Sequence, residues 1–475
     1  MTSPATILRS LPTTAVLGLL LASLALPALA QGPRPNPPPQ NNPPPAQRQP
    51  PRAGALDPGP SGGAVNAGGP LANLSTAESN FFLAAQDSFA ETSSVSGALP
   101  GEAGVGLGPR FNHNSCVGCH AHPAAGGSSP PINPQVDVAT LHGARNVVPS
   151  FITRDGPVRE VRFVRNADGT PDGGVHNLFV ISGRSDAPGC NIVQPDFAAA
   201  VAANNVTFRI PTPLYGAGLV EATPDNNLIA AAAAQSSLKA SLGIGGHFAT
   251  SANDGTISRF GWKAQNKSMT IFAGEAYNVE QGVTNELFPN ERETAADCQF
   301  NAGPEDATEL ENVANVRSAA AAHSSDAIQF ATLFRLSAAP TPAPQTAQTN
   351  RGLALFNQVG CQGCHIAAQT TGRSAIPALN NVTYFPFSDF ALHDMGRALA
   401  DGITQGNANG RDWRTAPLWG LGQRLFFLHD GRADDLDQAI AAHSSNGSEA
   451  NQVIGRFDAL SAQDRADLMA FLRSL

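Results

Sequence analysis

The sequence predicts a mainly α-helical chain in two related halves, and three observations carry that expectation. A Cys-x-x-Cys-His motif occurs twice, at Cys116-Val117-Gly118-Cys119-His120 and at Cys361-Gln362-Gly363-Cys364-His365. A helical pattern precedes each motif, and an amphipathic segment, 461–475 (SAQDRADLMAFLRSL), closes the chain with Leu468, Phe471 and Leu472 on one face. Residues 124–259 form a long irregular stretch with strand-like runs, which predicts a partly β insertion in the N-terminal half.

The elements follow in order. Residues 1–30 read as a cleaved secretory signal: Arg9 supplies the positive start, 14–26 (TAVLGLLLASLAL) the apolar core, and Ala28-Leu29-Ala30 the small-x-small site. No later stretch is apolar enough to span a bilayer, so a periplasmic or secreted protein is expected. Residues 31–72 are rich in Pro, Gly and Asn and predict a disordered linker. An N-terminal domain over 73–300 opens with a capping box at Ser75 and Glu78, then Phe81, Phe82, Ala85 and Phe89 at helical spacing. Within the insertion, 158–164 and 178–182 read as strands and the alanine-rich 227–242 as a helix. Residues 301–345 read as a connecting segment and 346–475 as the second domain, with a short helix over 349–359 before its motif.

Composition bounds the function. Of the 475 residues, 42% are hydrophobic and only 14% charged, with a net charge of −9. That excludes a highly charged disordered chain, and an acidic chain with no basic run is a poor nucleic-acid binder. Cys-x-x-Cys-His is the attachment motif of c-type haem: two thiols at that spacing can add to the vinyl groups of one porphyrin, and the adjacent histidine ligates the iron. Two covalent haems are expected, through Cys116, Cys119 and His120 and through Cys361, Cys364 and His365. A redox dithiol or a zinc knuckle is the rival reading. Helix, motif, loops and closing helix make up the layout of a cytochrome c-like haem domain. The remaining cysteines, Cys190 and Cys298, are expected to pair as a disulfide in an exported protein, the alternative being two inert thiols.

Arg414-Thr415-Ala416-Pro417-Leu418-Trp419, Phe427-Leu428-His429-Asp430-Gly431-Arg432 and Leu436-Asp437-Gln438-Ala439 resemble the C-terminal signature of bacterial di-haem cytochrome c peroxidases. There the distal ligand of the second haem stands fourteen residues after the HDG histidine, which implies His443 here, with Met395 as the alternative. Phe260-Gly261-Trp262-Lys263-Ala264 and Asn278-Val279-Glu280-Gln281-Gly282 resemble two further stretches of that superfamily. They imply Trp262 as the aromatic between the haems and Glu280 as the acid–base residue over an open N-terminal haem. Residues 106–120, 211–222 and 280–289 are similar to its di-haem oxidoreductase branch.

The resemblance implies an exported di-haem oxidoreductase of peroxidase type, with a catalytic first haem and a six-coordinate electron-relay second haem. It also implies hydrogen peroxide or another small oxidant as substrate, a small cytochrome or cupredoxin as electron donor, and calcium between the domains. A pure electron-transfer cytochrome and an oxygenase or oxidase of an organic or protein substrate are the rival functions. Glu221 is the competing carboxylate for the acid–base role.

Overall fold

The computed structural model describes residues 57–62, 65–310 and 316–475. The signal segment and most of the proline-rich linker lie outside them. Among the described residues there are fourteen α-helices, and the strands are two to four residues long, so the protein is mainly α. The strands pair as four separate antiparallel two-stranded sheets. No described helix is long and apolar enough to cross a membrane.

Local chemistry explains the helices that bound the two motifs. Helix Thr76–Ala90 starts at the capping box of Ser75 and Glu78, and buries Phe82, Ala85 and Phe89 on one stripe. Helix Ala347–Val359 starts at a second capping box, Thr346 with Thr349, and ends at Gly360 (φ 106°), directly before Cys361. Helix Ala462–Leu472 is capped by Ser461 and buries Leu468, Phe471 and Leu472. The alanine-rich segment forms two helices, Asp225–Ala234 and Ser236–Leu242, rather than one. The break falls at Gln235.

Three apolar cores result. The first joins Phe82 and Phe89 to Met269, Tyr277, Phe330 and Phe334. The second joins Phe356 to Phe457, Leu468, Phe471 and Leu472. The third belongs mostly to the insertion and holds Phe111, Phe151, Phe179 and Phe197 around Cys190 and Cys298, which are bonded as a disulfide. Each buried Phe contributes on the order of 1.5–3 kcal/mol, so this third cluster is a substantial core.

Two boundaries differ from the sequence reading. The linker does not run free to residue 72: Asp57 accepts two hydrogen bonds from the Arg473 guanidinium, at 2.7 and 2.6 Å, and one from the Leu436 amide. A buried Arg–Asp pair and the backbone bonds Leu71 N to Leu336 O and Ala338 N to Gly69 O fix this segment, which composition alone does not show. Nor is 301–345 merely a connection. Its helix Asp326–Leu336 buries Phe330 and Phe334, whose rings meet Phe89 edge-on at 5.7 and 5.0 Å.

Candidate functional site: two cavities at the Cys-x-x-Cys-His motifs

Each motif forms a single tight turn, with the His120 amide bonded to the Cys116 carbonyl at 3.0 Å and the His365 amide to the Cys361 carbonyl at 2.9 Å. The first turn tolerates no side chain at Gly118, where a Cβ would stand 2.4 Å from the His113 ring. In each half a phenylalanine from the preceding helix stands beside the motif histidine. The rings of Phe89 and His120 are 6.2 Å apart at 59°, those of Phe356 and His365 6.4 Å apart at 59°.

The two motif histidines are held alike. His120 Nδ1 donates to the Gly127 carbonyl and His365 Nδ1 to the Phe387 carbonyl, both at 2.9 Å. Each bond fixes the tautomer and leaves the lone pair on Nε2. Burial depresses both imidazoles to about 4, so both are neutral at physiological pH. Burial pushes the Cys116 and Cys361 thiols up to about 12 and the Cys119 thiol well above its ordinary value. A redox dithiol stabilises its thiolate, so these surroundings favour the attachment reading over the dithiol one.

Each motif opens on a cavity. The first, of about 170 Å³, is lined by Cys116, Cys119, His120, Trp262, Tyr277 and Glu280. The second, of about 230 Å³, is lined by Cys361, Cys364, His365, Trp262, Met395 and His443. Trp262 therefore lies in the wall of both. Its indole N–H donates to the Ile210 carbonyl at 2.9 Å, and its carbonyl accepts from the Arg414 amide at 3.0 Å.

Both cavities present chemistry that fits a haem. Arg414 and Arg424 line the second, and their guanidinium hydrogen bonds go to backbone carbonyls. Burial holds both near 10, and Arg424 Nη2 is buried without a partner. In the first cavity Arg159 Nε and the Oε1 atoms of Gln265 and Gln281 are likewise buried and unpartnered. Buried cations beside an apolar cavity suit a planar apolar group with anionic arms, such as a porphyrin with its propionates. Among the described residues no group of three or more His, Cys, Asp or Glu is arranged to hold a metal ion by itself.

The walls around the motifs differ. In the second cavity His443 Nδ1 donates to the Ala439 carbonyl at 2.7 Å, which leaves its Nε2 lone pair available, and burial lowers its basicity. His443 and His365 line the same cavity. Met395 lines the same cavity. In the first cavity Glu280 stands at the end of helix Met269–Glu280, where the chain turns through Gly282 (φ 72°). A Cβ on Gly108 would stand 2.2 Å from the Gly282 carbonyl, so two glycines let the motif loop close on this helix end. Asn112 fixes the carboxyl: its amide bonds the Glu280 carbonyl at 2.7 Å and its Nδ2 donates to Oε2 at 2.8 Å. Burial, and then Glu160, push the Glu280 carboxyl well above the ordinary carboxylate range.

Sequence reasoning missed the other charged groups of the first cavity. Glu160, Arg162 and Arg209 come from the insertion, and Glu275 from the same helix as Glu280. A glutamate in a four-residue strand carries no signal of its own. Glu221, the competitor in the sequence, is not among the residues lining this cavity; it pairs with Arg335 and accepts from the Met269 amide at 2.8 Å.

Hydrazine synthase of Kuenenia stuttgartiensis is 20% identical over 32% of this chain and 55% of its own, with a TM-score of 0.22. The di-haem peroxidase BthA of Burkholderia thailandensis is 17% identical over 46% of this chain and 65% of its own, with a TM-score of 0.27. The chain thus spans less than two thirds of the length of either. No curated protein matches at a significant level. The family described as "Di-haem oxidoreductase, putative peroxidase" matches residues 164–475, which hold the second motif, Trp262, Glu280 and His443. A match over that share of the sequence, with a cavity at each motif, places the chain in the di-haem oxidoreductase family.

Proposed function

We propose that the protein is an exported di-haem c-type oxidoreductase that reduces hydrogen peroxide or another small oxidant. Its electrons come from a small cytochrome or cupredoxin. Cys116, Cys119 and His120 would hold one haem, and Cys361, Cys364, His365 and His443 the other. The first would supply the redox chemistry on the substrate, and the second would supply electron relay. The chain is then two cytochrome c-like domains, with the insertion built onto the first.

The observation that carries this reading is the contrast between the cavities: a proton-bearing carboxyl, Glu280, lines one, and a second neutral imidazole, His443, lines the other. A haem with a free face supplies the iron and the electrons. Breaking a peroxide O–O bond requires a proton to move from the inner to the outer oxygen, and a positioned carboxyl can carry it. Asn112 holds the Glu280 carboxyl in one orientation for that task. Trp262, in the wall of both cavities, is suited to electron passage between them.

Glu280→Gln tests the reading, since it keeps the size and removes the proton carrier. Peroxide turnover with a reduced cytochrome should fall by about 10²- to 10⁴-fold at unchanged haem content. Glu221→Gln should leave turnover as it is. Full turnover in Glu280→Gln would contradict the reading.

A further inference from the structure

Strand Glu160–Phe163 pairs antiparallel with Val206–Arg209, with Glu160 opposite Arg209. Side chains alternate along a strand. Val161 is fully buried in the core of the insertion, whereas Glu160 and Arg162 both line the first cavity. There Glu160 and Glu280 line the same wall, and each carboxyl acts on the titration of the other. Arg162 Nε ion-pairs with Glu160 at 2.5 Å, and its Nη1 donates to the Gly173 carbonyl at 2.9 Å.

We propose that Glu160 and Glu280 form one carboxyl pair sharing a single proton, and that Glu160 is the positioning residue that keeps the proton on Glu280. The inference rests on the peroxidase reading and gives the insertion a part in it. Two carboxyls this close in the wall of one cavity cannot both ionise freely, so they titrate as a unit. Arg162 decides the site of the charge by bonding Glu160. Burial would push Glu160 up, but Arg162, Glu280 and the charge of Arg209 outweigh it and hold Glu160 below its ordinary value.

The other charged groups facing the pair do not reverse this order. Arg209 is committed to Asp401, Glu275 is held up by burial and bonded by Asn266, and Arg292 contributes positive charge to both carboxyls. Such a pair offers one group that gives a proton and one that takes a proton. Passing a proton from one peroxide oxygen to the other leaves the count on the pair unchanged.

The test uses the holoprotein and reads the protonated-carboxyl band in the infrared against pH. Wild type should show a protonated-carboxyl band that persists through neutral pH and is lost in Glu280→Gln. In Glu160→Gln the like charge is gone and Arg162 faces Glu280, so the midpoint should move at least one pH unit to acid, about tenfold in proton affinity. In Arg162→Gln it should move to alkali. Opposite shifts are not what a merely structural role produces, and Arg162→Gln carries the test if Glu160→Gln does not fold. Turnover lost in Glu280→Gln, with the midpoint unmoved in Glu160→Gln or Arg162→Gln, would overturn the pair and leave the peroxidase reading standing. Full turnover in Glu280→Gln would overturn that reading itself.

Discussion

In both halves the motif histidine bonds a backbone carbonyl through Nδ1 at 2.9 Å, and a phenylalanine ring flanks it at 59°. The cavities diverge in the rest of their walls. Around His120 stand Glu280 and the charged strand pair Glu160–Phe163 with Val206–Arg209; around His365 stand His443, His393, Arg414 and Arg424 among aliphatic and aromatic side chains. The shared turn determines attachment and one ligand, while the remaining wall determines what the site can do.

The contrast can be broken from either side. The largest effect is expected at Glu280, where Gln should cost about 10²- to 10⁴-fold in turnover. On the other side, His443→Ala should convert the second haem from low spin to high spin, while Met395→Ala leaves its spectrum nearly unchanged. A methionine–iron charge-transfer band lost in Met395→Ala would reverse that assignment.

A buried charge network holds the wall of the second cavity. Asp389 accepts from Lys239 at 2.9 Å and from His393 at 3.1 Å, while the other His393 nitrogen bonds Glu449 at 2.7 Å. Carboxylates on both nitrogens make His393 an imidazolium. Asp389→Ala leaves two buried cations without their shared anion and should cost about 3–5 kcal/mol in denaturant unfolding. Burial pushes Asp389 up, but His393 and Lys239 more than reverse it and hold the carboxyl well below its ordinary value. Its contribution is therefore present above the unfolded value, near 4, and is lost as pH falls through the folded one. The gap between wild type and Asp389→Ala should narrow on acidification; a gap that widened would contradict the network.

The smallest effect should be confined to the first cavity. Cys190 and Cys298 close a loop with a sequence separation of 108, and removing such a bond costs about 2–5 kcal/mol. Replacing both with Ser should loosen the insertion and move the carboxyl midpoint of the first site. The spectrum of the second haem should stay fixed, and a change there would show that the two sites are not built independently.

Much of this was legible in the sequence where the signal is local. The capping boxes at Ser75 and Thr346, the Ser461 cap and both motifs depend on residues within a few positions of one another. In the insertion the strands Glu160–Phe163 and Phe179–Val180 fall inside the runs read as strands, but Val206–Arg209 and the pairings were not legible, because the strands are short and pair across distant segments. Non-local pairing leaves no periodic trace in such short runs. Helix Asp326–Leu336 was hidden for another reason: its segment reads as a connection until Phe330 and Phe334 are seen in the cavity wall. Glu160 looks like a solvent-facing strand residue, and only the pairing of Glu160–Phe163 with Val206–Arg209 turns it toward Glu280.

The central claim is that one haem presents a free face and the other is closed by two imidazoles. Electron paramagnetic resonance of the holoprotein, resting and half-reduced, tests it most directly. The account predicts a low-spin signal that His443→Ala converts to high spin, and a separate high-spin signal from the first haem in at least one of the two states. Two low-spin, six-coordinate haems in every redox state would contradict it and leave electron transfer as the function.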